Sequence, residues 1–302
     1  MKPPSFSGKQ VRCFKMSLLA LLFGCLPLLS YSQGVKPSNV YRVTVTSRYV
    51  IENGERTNQF NAVNQEIYDS LGRLHTDIDF DWETRYPNNY RWHFYDSMLL
   101  VRTEHYIDEN LDRRVVYEYN RDTLVSVELH YRQQGEDILL VKVVNYSYNK
   151  QGLPERTGAL NSSGRRLFRV RSSFDEAGTE IRRRVSGRRG EPEDGIRRMD
   201  REAEYDSLGL LVYEKVQLRM SDRSRKEYTR RYQYDGRGNL IEKLEMDQNG
   251  DQVRRIEYGW QQNRNRLAQI RYYDGEGNLE KFLAKRYEIY RTTDRRQRVI
   301  DY

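Results

Sequence analysis

A run of carboxylates is the first place in this chain where chemistry could reside. Asp77, Asp79, Asp81 and Glu83 alternate behind His75. Oxygen ligands of this kind suit calcium. Alternation also implies a strand, in which every second side chain lies roughly 6.5–7 Å from the next. One ion cannot easily gather three groups so spaced, so the segment reads as a solvated strand face balanced by Arg91. His93, His105 and His130 lack a ligand-like cluster. No metal and no cofactor is expected.

The second candidate is basic. Between Arg165 and Arg201 stand 12 arginines and 7 acidic residues, with Arg182, Arg183 and Arg184, then Arg188 and Arg189, then Arg197 and Arg198 dominating. Such a cluster suits a phosphate-rich partner such as lipopolysaccharide or nucleic acid. The plainer reading is a long exposed loop flanked by Arg–Glu and Arg–Tyr cross-strand pairs. Gly187 to Gly195 reads as that loop, an insertion at about 186–196, because Gly, Pro192 and charges replace the alternation there. The chain has no G-x-S-x-G, no H-E-x-x-H, no phosphate-binding glycine loop and no Cys/His nucleophile pair. It is therefore expected to be non-catalytic, with no catalytic residue to name.

The N-terminus sets the compartment. Lys2, Lys9, Arg12 and Lys15 precede an apolar run from Met16 to Leu29, which ends at Ser30-Tyr31-Ser32. Basic, apolar and small-x-small stretches in that order make a secretory signal over residues 1–32. The apolar run is shorter than the roughly 20 residues a spanning helix needs, and Pro27 interrupts it. Leu22-Phe23-Gly24-Cys25 resembles a lipoprotein box, but Leu26 to Leu29 stay apolar where a lipoprotein would turn polar. Cleavage after Ser32 removes both cysteines, Cys13 and Cys25, and leaves no transmembrane span. It also lowers the formal charge from +8 to +4, and no nucleic-acid partner is expected. The expected location is the periplasm, the outer-membrane surface or the extracellular space.

A repeat organises the remaining residues, 33–302. Six sites share an aromatic residue, Asp or Asn, two free positions and Gly: Tyr68-Asp69 to Gly72, Tyr148-Asn149 to Gly152, Phe174-Asp175 to Gly178, Tyr205-Asp206 to Gly209, Tyr234-Asp235 to Gly238, and Tyr273-Asp274 to Gly277. Tyr95-Asp96-Ser97-Met98 and Tyr119-Asn120-Arg121-Asp122 are copies without the glycine. The pattern is that of a hairpin. In Tyr234 to Leu240, a three-residue loop fits a type I turn followed by a left-handed residue, the place for Gly238. Asp235 accepts hydrogen bonds from turn amides, and Tyr234 faces Leu240 across the ladder. The aspartates are turn-makers.

These residues resemble the YD repeat of the RHS family, most closely at Arg231 to Leu240 and at Tyr68 to Leu74. In that family the repeats build a β-sheet that curls into a hollow shell, which can enclose a toxin. Here the repeats are fewer and more widely spaced, and an enclosed toxin is not expected. A weaker resemblance, at Asp247-Gln248-Asn249-Gly250-Asp251, is to the hairpin repeats of YwqK-like antitoxin-component proteins.

Between the turns the chain reads as strands. Val40 to Ile51 and Phe60 to Tyr68 should pair around Asn53-Gly54. The strand ending at Glu83 should pair with the one beginning at Tyr90, with Glu83 opposite Arg91, Trp82 opposite Trp92 and Phe80 opposite Phe94. That register would bury the four aromatics and expose Asp79, Asp81 and Glu83. The expected fold is all-β: an antiparallel meander of YD-type hairpins forming a curled sheet or partial β-shell. Its expected role is binding or scaffolding in the cell envelope, with an envelope protein or a glycan as partner. The alternatives are a surface glycan- or lipopolysaccharide-binding module and a hydrolase with a dispersed carboxylate site.

Overall fold

The computed structural model describes residues 40–187, 195–261, 263–289 and 300–301. The leader expected over 1–32 and the loop arginines Arg188 and Arg189 lie outside the described residues.

The elements of the described residues are strands. In order they are β1 (Val40–Glu52), β2 (Glu55–Asp69), β3 (Leu74–Phe80), β4 (Pro87–Asp96), β5 (Leu99–Ile107), β6 (Asn110–Tyr119), β7 (Val125–Gln134), β8 (Asp137–Tyr148), β9 (Pro154–Asn161), β10 (Arg166–Phe174), β11 (Glu180–Gly187), β12 (Ile196–Tyr205), β13 (Leu211–Met220), β14 (Arg225–Tyr234), β15 (Leu240–Asp247), β16 (Gln252–Gln261), β17 (Arg266–Tyr273), β18 (Leu279–Ile289) and β19 (Ile300–Asp301). Each pairs antiparallel with the next. β18 then pairs with β1, from Arg42 opposite Ile289 to Tyr49 opposite Phe282. The meander therefore goes beyond a partial shell and closes into an 18-strand barrel, which leaves no long sheet edge open to another chain. β19 adds a two-residue ladder to β18.

The turns explain why these residues make this meander. Among the described residues, ten hairpins close with the same pair of main-chain bonds. At Asp235 the amide donates to the Asn239 carbonyl at 2.9 Å, and the Gly238 amide donates back to the Asp235 carbonyl at 3.0 Å. The Asp235 carboxylate accepts the amides of Arg237 and Asn239, each at 2.9 Å. Gly238 has φ +79°, and Tyr234 stands opposite Leu240, as the repeat predicts. Asp69, Asp206 and Asp274 form the same turn, with Gly72, Gly209 and Gly277 at positive φ. The copy at Asn120 keeps the geometry with Thr123 at φ +61°. The Tyr95 copy tightens instead to a two-residue turn, with Asp96 opposite Leu99. Asn161-Ser162-Ser163-Gly164 forms a turn of the same type that the sequence pattern did not single out, because Leu160 replaces the aromatic.

Strand parity separates two rims. The turns from Asp69, Asn120, Asn149, Asp175, Asp206 and Asp235 each join an even strand to an odd one. The turn at Asp274 joins β17 to β18 and so sits at the opposite rim. At the first rim its place is taken by Trp260, and this accounts for the broken repeat interval near the end of the chain. The aromatics of this rim tie neighbouring hairpins together. Among the described residues, seven of them donate to the carbonyl of the residue facing the previous aromatic: Tyr95 to Leu74 at 2.9 Å, Tyr119 to Leu100 at 2.7 Å, Tyr148 to Val125 at 2.5 Å, Tyr205 to Glu180 at 2.9 Å, Tyr234 to Leu211 at 2.9 Å, Trp260 to Leu240 at 2.8 Å and Tyr287 to Leu267 at 2.9 Å. Phe174 occupies the same position without a donor.

Side chains paired across a ladder share a face, so alternation propagates around the barrel. Along β8–β14 it is sharp. Val144, Ala159, Val170, Ala203, Glu214 and Val216 are buried on one face, while Arg169, Arg171, Arg184, Arg198 and Gln217 are exposed on the other. The core is thin, since among the described residues no large side chain is fully buried. The covered face also buries charge. Glu214 receives Arg201 Nε at 2.5 Å, Arg230 Nη1 at 2.8 Å and the Tyr232 hydroxyl at 2.7 Å. Burial alone would raise its pKa, but these donors outweigh it and hold the carboxyl at about 2.

The hairpin around Pro87 corrects the expected register. Asp77 stands opposite Arg91, Ile78 opposite Tyr90, and Phe80 opposite Pro87. The slip is an even number of residues, so each side chain keeps the face that alternation assigned to it, but the aromatic partners change. Trp82 is in the turn rather than in a strand, and Phe80, Trp82, Trp92 and Phe94 are only half-covered. The cause is Asp81, which behaves as a turn-maker. Its carboxylate accepts the Thr84 amide at 2.7 Å, the Thr84 hydroxyl at 2.8 Å and the Glu83 amide at 3.0 Å. Its own amide donates to the Tyr86 carbonyl at 2.9 Å.

Candidate anion-binding groove

The arginines that matter come from four adjacent strands. β10 carries Arg169 and Arg171 two residues apart, so both emerge on the exposed face. The ladders place Arg169 between Gly158 of β9 and Ser186 of β11, and place Arg171 between Arg156 of β9 and Arg184 of β11. Ser186 in turn faces Arg198 of β12, which faces Arg219 of β13. Like charges directly opposite each other destabilise a sheet, so the Arg156–Arg171–Arg184 row is maintained at a cost.

These side chains line an open groove of about 330 Å³, formed by Arg166, Arg169, Arg171, Arg184 and Arg198 with Val185 and Ser186. Gly158, which faces Arg169 from β9, adds no side chain beside it, and a Cβ there would meet nothing within 4 Å. Arg166, Arg169, Arg171 and Arg198 have no ion-pair partner among the described residues. Arg184 is partly engaged, with Nε 3.2 Å from Asp200. Planar guanidinium forks arranged this way can each present two N–H groups to one oxyanion.

The arginines singled out in the sequence are dispersed. Arg184 and Arg198 enter the groove. Arg182 is neutralised by Asp200 at 2.8 Å and Glu202 at 3.1 Å, and the hydrogen bond from Arg182 holds the Asp200 carboxyl below its usual range. Arg183 falls on the opposite face, across from Ser172 and Arg201. Arg197 sits at a bulge and does not line the groove. The arginines that emphasis on triplets passed over, Arg169 and Arg171, carried a legible signal: an Arg-x-Arg alternation within a strand.

The acidic alternation behaves as a charge-balanced face. Arg91 clamps Asp77 at 2.6 Å and Asp79 at 2.7 Å, while Asn64 donates to both. Among the described residues, no three ligand-type side chains converge. Glu242 and Glu257 stand opposite each other across β15 and β16 and line a second open groove. Glu257 accepts the Tyr273 hydroxyl at 3.0 Å and lies 3.5 Å from both Arg255 and Arg271.

No protein-family model matches the chain, and no curated protein matches it. Solved structures similar to it include the Tc holotoxin pore of Photorhabdus luminescens, at 15% identity and a TM-score of 0.35, over 86% of this chain and 15% of that one. The TcdB2–TccC3 crystal structure is also 15% identical with a TM-score of 0.35, over 86% of this chain and 16% of that chain. A porin-like protein from Bacteroides uniformis is 11% identical with a TM-score of 0.41, over 82% of this chain and 96% of that one. The chain thus spans only a small part of the toxin chains' length. At these values the likenesses carry no function across, and the site is read from its own residues.

Proposed function

We propose that this protein is an exported, non-catalytic binding or scaffolding module of the cell envelope, and that its barrel presents an arginine groove to an anionic partner. The observation that carries this reading is the exposed Arg156–Arg171–Arg184 row, where like charges are kept side by side and Arg171 has no counter-ion among the described residues. A row of this kind gains stability when an anion sits across it. The barrel itself is suited to water on both faces. A membrane-spanning barrel needs an outward apolar band about 25 Å tall. Here strand centres carry Arg171, Arg184, Asp200 and Lys215 on one face and Arg201, Glu214, Arg230 and Lys243 on the other.

Two measurements test the reading. N-terminal sequencing of the protein purified from envelope fractions should find Gln33 first; a retained leader or an acylated Cys25 would refute cleavage after Ser32. An array of neutral and acidic glycans should retain the protein only on acidic members, and retention on neutral ones alone would refute the anionic partner.

A further inference from the structure

We propose that the groove is a two-subsite receptor for a glycan whose phosphate or sulfate groups recur about 7 Å apart, an inference that rests on reading the protein as an exported binding module. The ladder sets the geometry. One row across the strands reads Gly158, Arg169, Ser186, Arg198; the next reads Arg156, Arg171, Arg184, and ends on Asp200 opposite Arg184. In the second row the Cβ atoms of Arg156, Arg171 and Arg184 are about 4.5–5.5 Å from their neighbours, close enough for two guanidinium groups to share one oxyanion; in the first, Arg169 and Arg198 stand two strands apart, roughly 10 Å, and flank an oxyanion position over Ser186. The rows are two residues apart along β10, which separates the two oxyanion positions by roughly 6.5–7 Å.

The groove's shape and lining select the class of ligand. It is open to solvent, so it fits a segment of an extended chain better than a small enclosed molecule. Gly158 and Ser186 leave the row at Arg169 low enough for a sugar ring to lie between the charged groups. Among the described residues, no aromatic side chain lines the groove. Proteins that hold single-stranded nucleic acid combine a basic channel with aromatic platforms on which bases stack. That half of the arrangement is missing here, and a polyanion without bases is favoured.

The test is calorimetric titration of the mature protein, purified from its own envelope, with defined probes. These are a sulfated hexasaccharide, its desulfated counterpart, inorganic sulfate, a thymidine hexanucleotide, and vesicles of phosphatidylglycerol. The sulfated hexasaccharide should bind at least 30-fold more tightly than each of the other four. Arg169→Gln and Arg171→Gln should each weaken it about tenfold, and each should lower the slope of log affinity against log salt by about one. Arg182→Gln, whose parent is already neutralised by Asp200, should change affinity less than twofold. Equal or tighter binding of the hexanucleotide would overturn the glycan assignment, and preference for vesicles would overturn it in favour of a lipid surface. Equal affinity for inorganic sulfate would overturn the two-subsite geometry. Arg169→Gln and Arg171→Gln proteins that melt and bind as the parent does would overturn the groove itself. A retained leader with intact groove binding would refute export and leave the groove standing; normal cleavage without binding would do the reverse.

Discussion

Thr123 allows the turn physics to be tested in the favourable direction. It holds φ +61° in the loop from Asn120 to Leu124, where equivalent loops place Gly72, Gly152 and Gly238. A left-handed conformation costs a residue with a Cβ roughly 1–2 kcal/mol, and a β-branched side chain sits at the upper end of that range. Thr123→Gly removes about 2 kcal/mol of strain and returns roughly 0.5–1 kcal/mol as extra chain entropy in the unfolded state. The hydroxyl bond to the Asp122 carbonyl, at 2.6 Å, is exposed, so water replaces it. The net gain is about 1 kcal/mol, which in a domain of this size raises Tm by roughly 2–4 °C. Gly238→Val is the mirror experiment. The nearest atom to a Cβ there is Leu210 Cδ1 at 3.8 Å, so any loss reports the backbone and not a clash; a drop of about 1 kcal/mol or more is expected. Thermal and urea melts followed by circular dichroism, with unchanged m-values, measure both. A Thr123→Gly protein that melts at or below the parent's temperature would refute the reasoning, as would a Gly238→Val protein that melts unchanged.

Phe174→Tyr should stabilise the fold by roughly 0.5–1.5 kcal/mol, because the pattern of the rim places the Pro154 carbonyl within reach of the new hydroxyl; Tyr119→Phe should cost about the same, and urea denaturation reads both. Glu214 has its folded pKa depressed to about 2 from an unfolded 4.5, so its contribution is complete above pH 4.5 and is lost as pH falls toward 2. Stability measured across that window should decline in the parent and decline less in Glu214→Gln, which starts lower because Arg201 and Arg230 lose their shared partner; parallel curves would contradict the assignment. Arg171→Thr should raise stability by roughly a few tenths of a kcal/mol at low salt, with the gain disappearing at high salt as the Arg156 and Arg184 charges are screened.

Much of this barrel is local, and local features are legible in sequence. Asp235 and Gly238 specify a turn within five residues, Tyr234 then has to face Leu240, and repetition of that unit makes an antiparallel meander. Alternation assigned Asp77, Asp79, Ile78, Arg91 and Trp92 to their faces correctly, because a strand has period two whatever it pairs with. It did not determine the register, since any even slip preserves the faces; what decided between slips was Asp81, whose carboxylate caps a turn that alternation had read as strand. Closure was also beyond local reach. Whether β18 meets β1 depends on the twist accumulated over all the intervening strands, and no single repeat encodes it. The groove shows the same division. Arg169-Val170-Arg171 told which side chains share a face, but the partners that make them a site, Gly158 and Arg156 on one side and Ser186 and Arg184 on the other, are brought together only by the ladders. The same ladders set Asp200 beside Arg182 and withheld it from Arg171, and this separates a neutralised cation from one left open to an anion.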